Sequence, residues 1–158
     1  MKKLLICCVT IVLLCGLCAC SGAQSGGEEG FSTGIVEALV EQGAFSEELE
    51  ALDADTAFML YRFADYGLER DALTDCIVLR STGATCEEAA VFIWTDNEAM
   101  KLGYQALGDY MEDQIVTNEN YRPNEIPKLQ EARVGFKENT LLLVVANDYS
   151  VVSEVLKK

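Results

Sequence analysis

The sequence predicts an α+β domain: one antiparallel sheet of about four strands, with helices packed on a face of it. Three observations carry this. Two apolar runs, DCIVLRS at 75–81 and EEAAVFIWT at 87–95, flank the turn sequence STGAT. A second pair, RVGFK and LLLVVA, flanks Glu138-Asn139. Between the pairs, Met100, Tyr104, Leu107, Met111 and Ile115 recur at helical spacing with acidic residues elsewhere. Strands joined by short turns pair antiparallel, and a helix with one apolar stripe needs a sheet to cover.

The elements follow in order. Ile35, Val36, Leu39 and Val40 predict a helix over 33–42, stopped by Gly43. SEELEAL at 46–52 reads as a helical turn capped by Ser46. Asp53 or Asp55 caps a further helix to about Tyr66, with Ala57, Leu60, Tyr61 and Ala64 on one face and Gly67 as its stop. Its AFMLYRF core also suits a strand. For 87–95 two signals conflict. Thr85 and Glu88 stand at capping-box spacing, while Val91, Phe92, Ile93 and Trp94 in a row favour a buried strand. The strand is preferred, because Thr95-Asp96-Asn97-Glu98 is a better box and opens the long helix. NENYRPNEIP, 118–127, reads as a polar connector, and KLQEA as one helical turn. The last two strands form a hairpin with Leu141 to Ala146 central. Ser150 to Lys158 closes as a helix with Val151, Val152 and Val155 inward.

The start of the chain stands outside this fold. Met1, Lys2 and Lys3 precede an uncharged apolar run, Leu4 to Leu17, in the order of a secretory signal peptide. The run is shorter than the ~20 residues a membrane-spanning helix needs. Leu17-Cys18-Ala19-Cys20 resembles the lipobox of bacterial lipoproteins. That likeness implies a cut between Ala19 and Cys20, and a lipid on the Cys20 sulfur. The plainer alternative is a cysteine-rich signal peptide cut nearby and secreted free. Residues 1–19 are thus expected to be the signal peptide, 20–32 the lipidated cysteine and a flexible acidic tether, and 33–158 a single domain. The expected location is the cell membrane, lipid-anchored on its extracytoplasmic side.

Charge narrows the partners. The 12 basic residues less Lys2 and Lys3 leave ten, against 26 acidic residues that all follow Cys20, a formal charge of −16. Such a domain is repelled by nucleic acid and by anionic lipid. It contains no histidine, so the commonest general base and metal ligand are missing.

What remains is thin. Ser81, Thr82 and Thr85 lie near Arg80 and Glu87, as a polar binding loop or simply a turn. Glu87 and Glu88 should point to opposite faces of a strand, a poor acid–base pair. Asp109 with Glu112 or Asp113 reads as a solvated helix face. Asp53-Ala54-Asp55 starts like a calcium loop, but Phe58 and Ala64 stand where glycine and glutamate belong. No metal and no cofactor is expected. With the turn centred near Gly83, Cys76 lies opposite about Ala90 and Cys86 opposite about Arg80. That offset of roughly 13 Å forbids a disulfide. Tyr121, beside Arg122 and Pro123, is the aromatic most suited to recognition.

A wider resemblance joins these pieces. The lipobox is followed by Tyr66-Gly67-Leu68, the strand Cys76 to Leu79, Ser81-Thr82-Gly83-Ala84-Thr85-Cys86-Glu87-Glu88, Tyr121-x-Pro123, Lys128-Leu129, and Val144-Val145-Ala146-Asn147-Asp148. From about residue 33 onward the chain resembles the small bacterial lipoproteins grouped as domain of unknown function 4358. The resemblance implies a cell-envelope lipoprotein and transfers no catalytic residue. The functional expectation is a membrane-tethered binding or interaction module, not an enzyme, with an envelope protein as partner. Its candidate recognition surface is Arg80, Ser81, Thr82, Thr85, Glu87, Tyr121 and Arg122. The alternative is an enzyme with a histidine-free, carboxylate-based site.

Overall fold

The computed structural model describes residues 29–157. The signal segment, Cys20 and the tether up to residue 28 lie outside the described residues. Residues 29–32, expected to belong to the tether, border the fold. The Phe31 N–H donates to the Thr140 hydroxyl at 2.7 Å, and its ring packs on the core.

Helix α1 spans Gly34–Glu41, and Gly43 leaves it at φ 77°. Strand β1, Glu50–Leu52, replaces the expected helical turn. Glu, Ala and Leu favour a helix locally, but Leu52 pairs with Val78 and Glu50 with Arg80 across an antiparallel ladder. Tertiary pairing overrides propensity here. Helix α2, Ala54–Leu60, is capped by Asp53, whose carboxylate accepts from the Asp55 and Thr56 N–H groups. It does not continue to Tyr66. Arg62 takes φ 56°, a left-handed turn uncommon for a side-chain-bearing residue. A 3-10 turn, Phe63–Tyr66, follows and ends at Gly67. The break turns Phe63 into the core and leaves Ala64 exposed.

Strands β2, Leu73–Arg80, and β3, Glu88–Trp94, form the first hairpin. Cys76 pairs with Phe92 and Arg80 with Glu88. The register differs from the expected one because the turn is longer, 81–87, and Cys86 lies in it. Cys76 and Cys86 are both free thiols. Helix α3, Asn97–Tyr121, is capped by Asp96 rather than Thr95. It runs straight into the expected polar connector. Asn118 is buried there; its amide donates to the Gln114 carbonyl and its oxygen accepts from Arg122 Nε. A 3-10 turn at Pro123–Glu125 leads into α4, Ile126–Gln130. Strands β4, Arg133–Lys137, and β5, Thr140–Val145, form the second hairpin. Helix α5, Tyr149–Val155, closes the fold, with Val152 and Val155 buried.

The sheet has five antiparallel strands in the order β1-β2-β3-β5-β4. The additional strand is β1, at one edge. Helices cover both faces rather than one. On the first face α2, the Phe63 turn and α3 enclose an aromatic cluster of Tyr61, Phe63, Phe92 and Trp94. On the second, α1 and α5 cover Val91, Leu142 and Val144. β3 and β5 are therefore apolar on both sides, which explains their unbroken hydrophobic runs. Met100, Leu107 and Met111 of the expected stripe are buried, but Tyr104 is partly exposed and edge-stacks on Phe136 of β4. Room for α3 comes from Gly103, where an added Cβ would stand 2.7 Å from the Trp94 ring. Among the described residues no helix is long and apolar enough to cross a membrane.

Candidate functional site

The end of the sheet at the β2–β3 turn gathers most of the candidate residues. The turn is fixed from within: the Ser81 hydroxyl accepts from the Gly83 and Thr85 N–H groups at 3.1 and 3.0 Å. Gly83 has φ 127°, a value that glycine alone takes freely. The turn is also fixed from outside. Arg122 Nη1 donates to the Gly83 and Thr85 carbonyls at 3.0 and 2.9 Å, and Glu125 accepts from the Cys86 N–H at 2.9 Å. The Thr85 hydroxyl donates to Glu47 at 2.6 Å. Hydrogen bonds from Ser81 and Thr85 hold the Glu47 carboxyl below its ordinary pKa. Thr82 is exposed on this scaffold. Tyr121, next to the arginine that grips the turn, is 83% exposed.

Two of the expected residues, Glu87 and Arg80, do something else. Glu87 was placed on the recognition surface by its neighbours in sequence, but it is only 1% exposed. Its carboxylate accepts from the Ser46 N–H at 2.8 Å, the Ser46 hydroxyl at 2.5 Å and Lys128 Nζ at 2.7 Å. It clamps the segment before β1 and helix α4 onto the sheet. A serine beside a carboxylate and a lysine resembles the parts of an acyl-transfer site. Here, however, the Ser46 N–H, a donor that an oxyanion would need, is spent on the same carboxylate.

Glu88 faces the other side and is 3% exposed. It accepts from the Tyr61 hydroxyl and, at 2.8 Å, from the Tyr110 hydroxyl. Arg80, its cross-strand partner, reaches Tyr110 at a long 3.5 Å, and its Nε is buried without a partner. Burial pushes the Glu88 carboxyl up, while Arg80 and the two hydroxyls oppose this in part. Burial, then the nearby Glu88 charge, raises both tyrosines. This buried chain was not legible in the sequence. The only signal was two carboxylates beside the most apolar strand, which must find distant partners when buried.

The remaining chemical candidates are occupied. Asp53 is a helix cap, and Asp55 pairs with Arg70 at 2.7 Å. Asp109 accepts from the Tyr66 hydroxyl. Burial raises the Cys76 and Cys86 thiols above their ordinary pKa, the reverse of an activated nucleophile. Among the described residues no group of three or more histidine, cysteine or acidic side chains could hold a metal.

Compared with family models, with curated proteins and with solved structures, the chain matches none.

Proposed function

We propose that this chain is an extracytoplasmic lipoprotein, anchored through lipid on Cys20, whose domain is a binding module for a protein of the cell envelope. The recognition face is the 81–86 turn together with Tyr121 and Arg122. The observation that carries this is the grip of Arg122 on the Gly83 and Thr85 carbonyls. It fixes a polar turn beside an aromatic ring that is almost wholly exposed. An exposed tyrosine offers a large amphipathic contact area, as interface residues do. The resemblance to domain of unknown function 4358, and the Leu17-Cys18-Ala19-Cys20 segment, support the envelope location.

Two experiments test the two parts. Cys20→Ser should abolish acyl labelling and release the domain; continued acylation would refute the assignment of the lipid to Cys20. A photo-crosslinking side chain at Tyr121, activated in native membranes, should yield one defined adduct. The same group at Met59, also exposed, should not. Equal or absent crosslinking at both sites would refute the assigned face.

A further inference from the structure

A separate feature is the edge of the sheet. β4 ends the strand order β1-β2-β3-β5-β4, so only one of its sides is paired. The Trp94 N–H donates to the Asn139 carbonyl at 2.9 Å, which fixes the alternation along β5. Leu141, Leu143 and Val145 bond toward β3, and Thr140, Leu142 and Val144 toward β4. The β4 partners of these last three are Lys137, Gly135 and Arg133. Val134 and Phe136 therefore turn their backbone N–H and C=O groups outward. Among the described residues no other backbone hydrogen bond reaches them. Phe136 is also 55% exposed, with the partly exposed Tyr104 stacked on its ring.

Two cations mark this edge. Arg133 and Lys137 are four residues apart on one face of β4, about 13 Å along the strand. Each is seated on an aromatic ring. The Arg133 guanidinium is 5.2 Å from the Tyr149 ring centroid, and the Lys137 ammonium is 5.4 Å from that of Phe31. Neither forms an ion pair among the described residues, although the chain has 26 acidic residues against 12 basic.

Cationic side chains on an edge strand guard it against pairing with copies of itself. A second copy paired antiparallel about Gly135 would set Arg133 against Lys137 twice, and like charges directly opposite are unfavourable. A strand with carboxylates at those two positions meets both cations instead. The acidic remainder of the surface does not prevent this, because salt at about 0.15 M screens charges beyond about 8 Å. Glu131 and Glu138 lie just outside β4, so carboxylates suit only the two positions opposite Arg133 and Lys137.

From this we infer that β4 takes an extended, acidic segment of a partner protein as an added antiparallel strand. The segment carries carboxylates at i and i+4, opposite the two cations. At i+1 and i+3 it carries apolar strand formers, whose backbones bond to Val134 and Phe136. No residue of the proposed recognition face takes part, so this inference stands or falls independently.

The test uses the full chain in about 0.15 M salt and three fluorescent peptides. The first has valine, threonine and valine between two glutamates, with a threonine at each end. The second has lysines in place of the glutamates. The third keeps the glutamates and is N-methylated at both valines, which removes the donors an added strand needs. In the protein alone the Val134 and Phe136 amides should exchange quickly with solvent, beside a slow Gly135 amide. The first peptide should bind and slow both. The second should bind about tenfold more weakly, and the third not at all. Arg133→Glu combined with Lys137→Glu should reverse the order of the first two. The wild-type comparison decides the matter even if that variant fails to fold. Slow Val134 and Phe136 amides in the protein alone would mean an edge already covered, from within the chain or by a second copy, and would overturn the inference. So would no binding, or equal binding of the first peptide and either of the others.

Discussion

Arg80 and Glu88 face each other across the β2–β3 ladder, on one side of the sheet, yet they form no ion pair. The Tyr110 hydroxyl stands between them, and Tyr61 takes the other carboxylate oxygen. The charge of Glu88 is thus held by two neutral donors inside the aromatic core. Burial outweighs their help and pushes its carboxyl up.

A pH dependence follows from that direction. The folded state holds the Glu88 proton more tightly than the unfolded chain does. Below the unfolded value, 4.5, both states are protonated and the term is constant. As pH rises through the folded value, the fold loses the stability this proton gave. Glu88→Gln has no such term. We expect it to cost about 1–3 kcal/mol, through a lost acceptor in the core. Its deficit relative to wild type should narrow as pH rises from 4 to 8. Carboxyls shifted the other way, Glu47, Asp53 and Asp148, are common to both proteins and cancel. Paired thermal melts across that range check this. A deficit that widens with pH would mean that the fold favours the charged form.

Glu87 yields a larger effect of a different kind. Glu87→Ala leaves Lys128, whose side chain is 18% exposed, with Glu125 at 3.3 Å as its partner, and frees the Ser46 N–H inside the fold. Breaking a buried pair by removing one partner costs about 3–5 kcal/mol. Arg62→Ala, which removes exposed pairs to Asp65 and Asp113, should cost under about 1 kcal/mol. Urea unfolding of both variants tests the contrast. Equal losses would contradict the clamp.

Gly103→Ala sets two effects against each other. Alanine in mid-helix gains about 1 kcal/mol over glycine. The new methyl would stand 2.7 Å from Trp94 Cζ2 and 3.0 Å from Leu141 Cδ1, and both residues are fully buried. Overpacking of this sort costs about 1–3 kcal/mol. A net loss of stability is expected by denaturant titration. Gly108→Ala, with nothing within 4 Å, should show the gain alone.

Cys76 and Cys86 should both alkylate in the unreduced protein, Cys76 on β2 and Cys86 in the turn. Peptide mapping after alkylation decides it. A peptide pair joined through the two sulfurs would refute the register of the hairpin.

The strands were most legible where burial on both faces left unbroken apolar runs. Val91 to Trp94 and Leu141 to Val145 are such runs, and tertiary pairing resolved the conflict with the Thr85–Glu88 capping spacing. β1 was not legible, because Glu50-Ala51-Leu52 has helix-forming residues and becomes a strand only beside β2. The end of α3 was missed because Asn118 looks like a connector residue, and its value lies in a bond to Arg122 that polarity alone does not announce. The turn and its gripping arginine were both named from sequence. Their union was not, since 37 residues separate Thr85 from Arg122. Glu87 misled for the same reason: its partners Ser46 and Lys128 are each 41 residues away.

One consequence concerns light. The chain has a single tryptophan, Trp94, fully buried beneath Gly103, with an indole N–H that meets no acceptor. An indole in such dry, aromatic surroundings emits at short wavelength and shifts to the red when water reaches it. All of the protein's tryptophan emission therefore comes from the seam between α3 and the sheet. It is an optical gauge of that one contact, silent to events at the β2–β3 turn until the core itself opens.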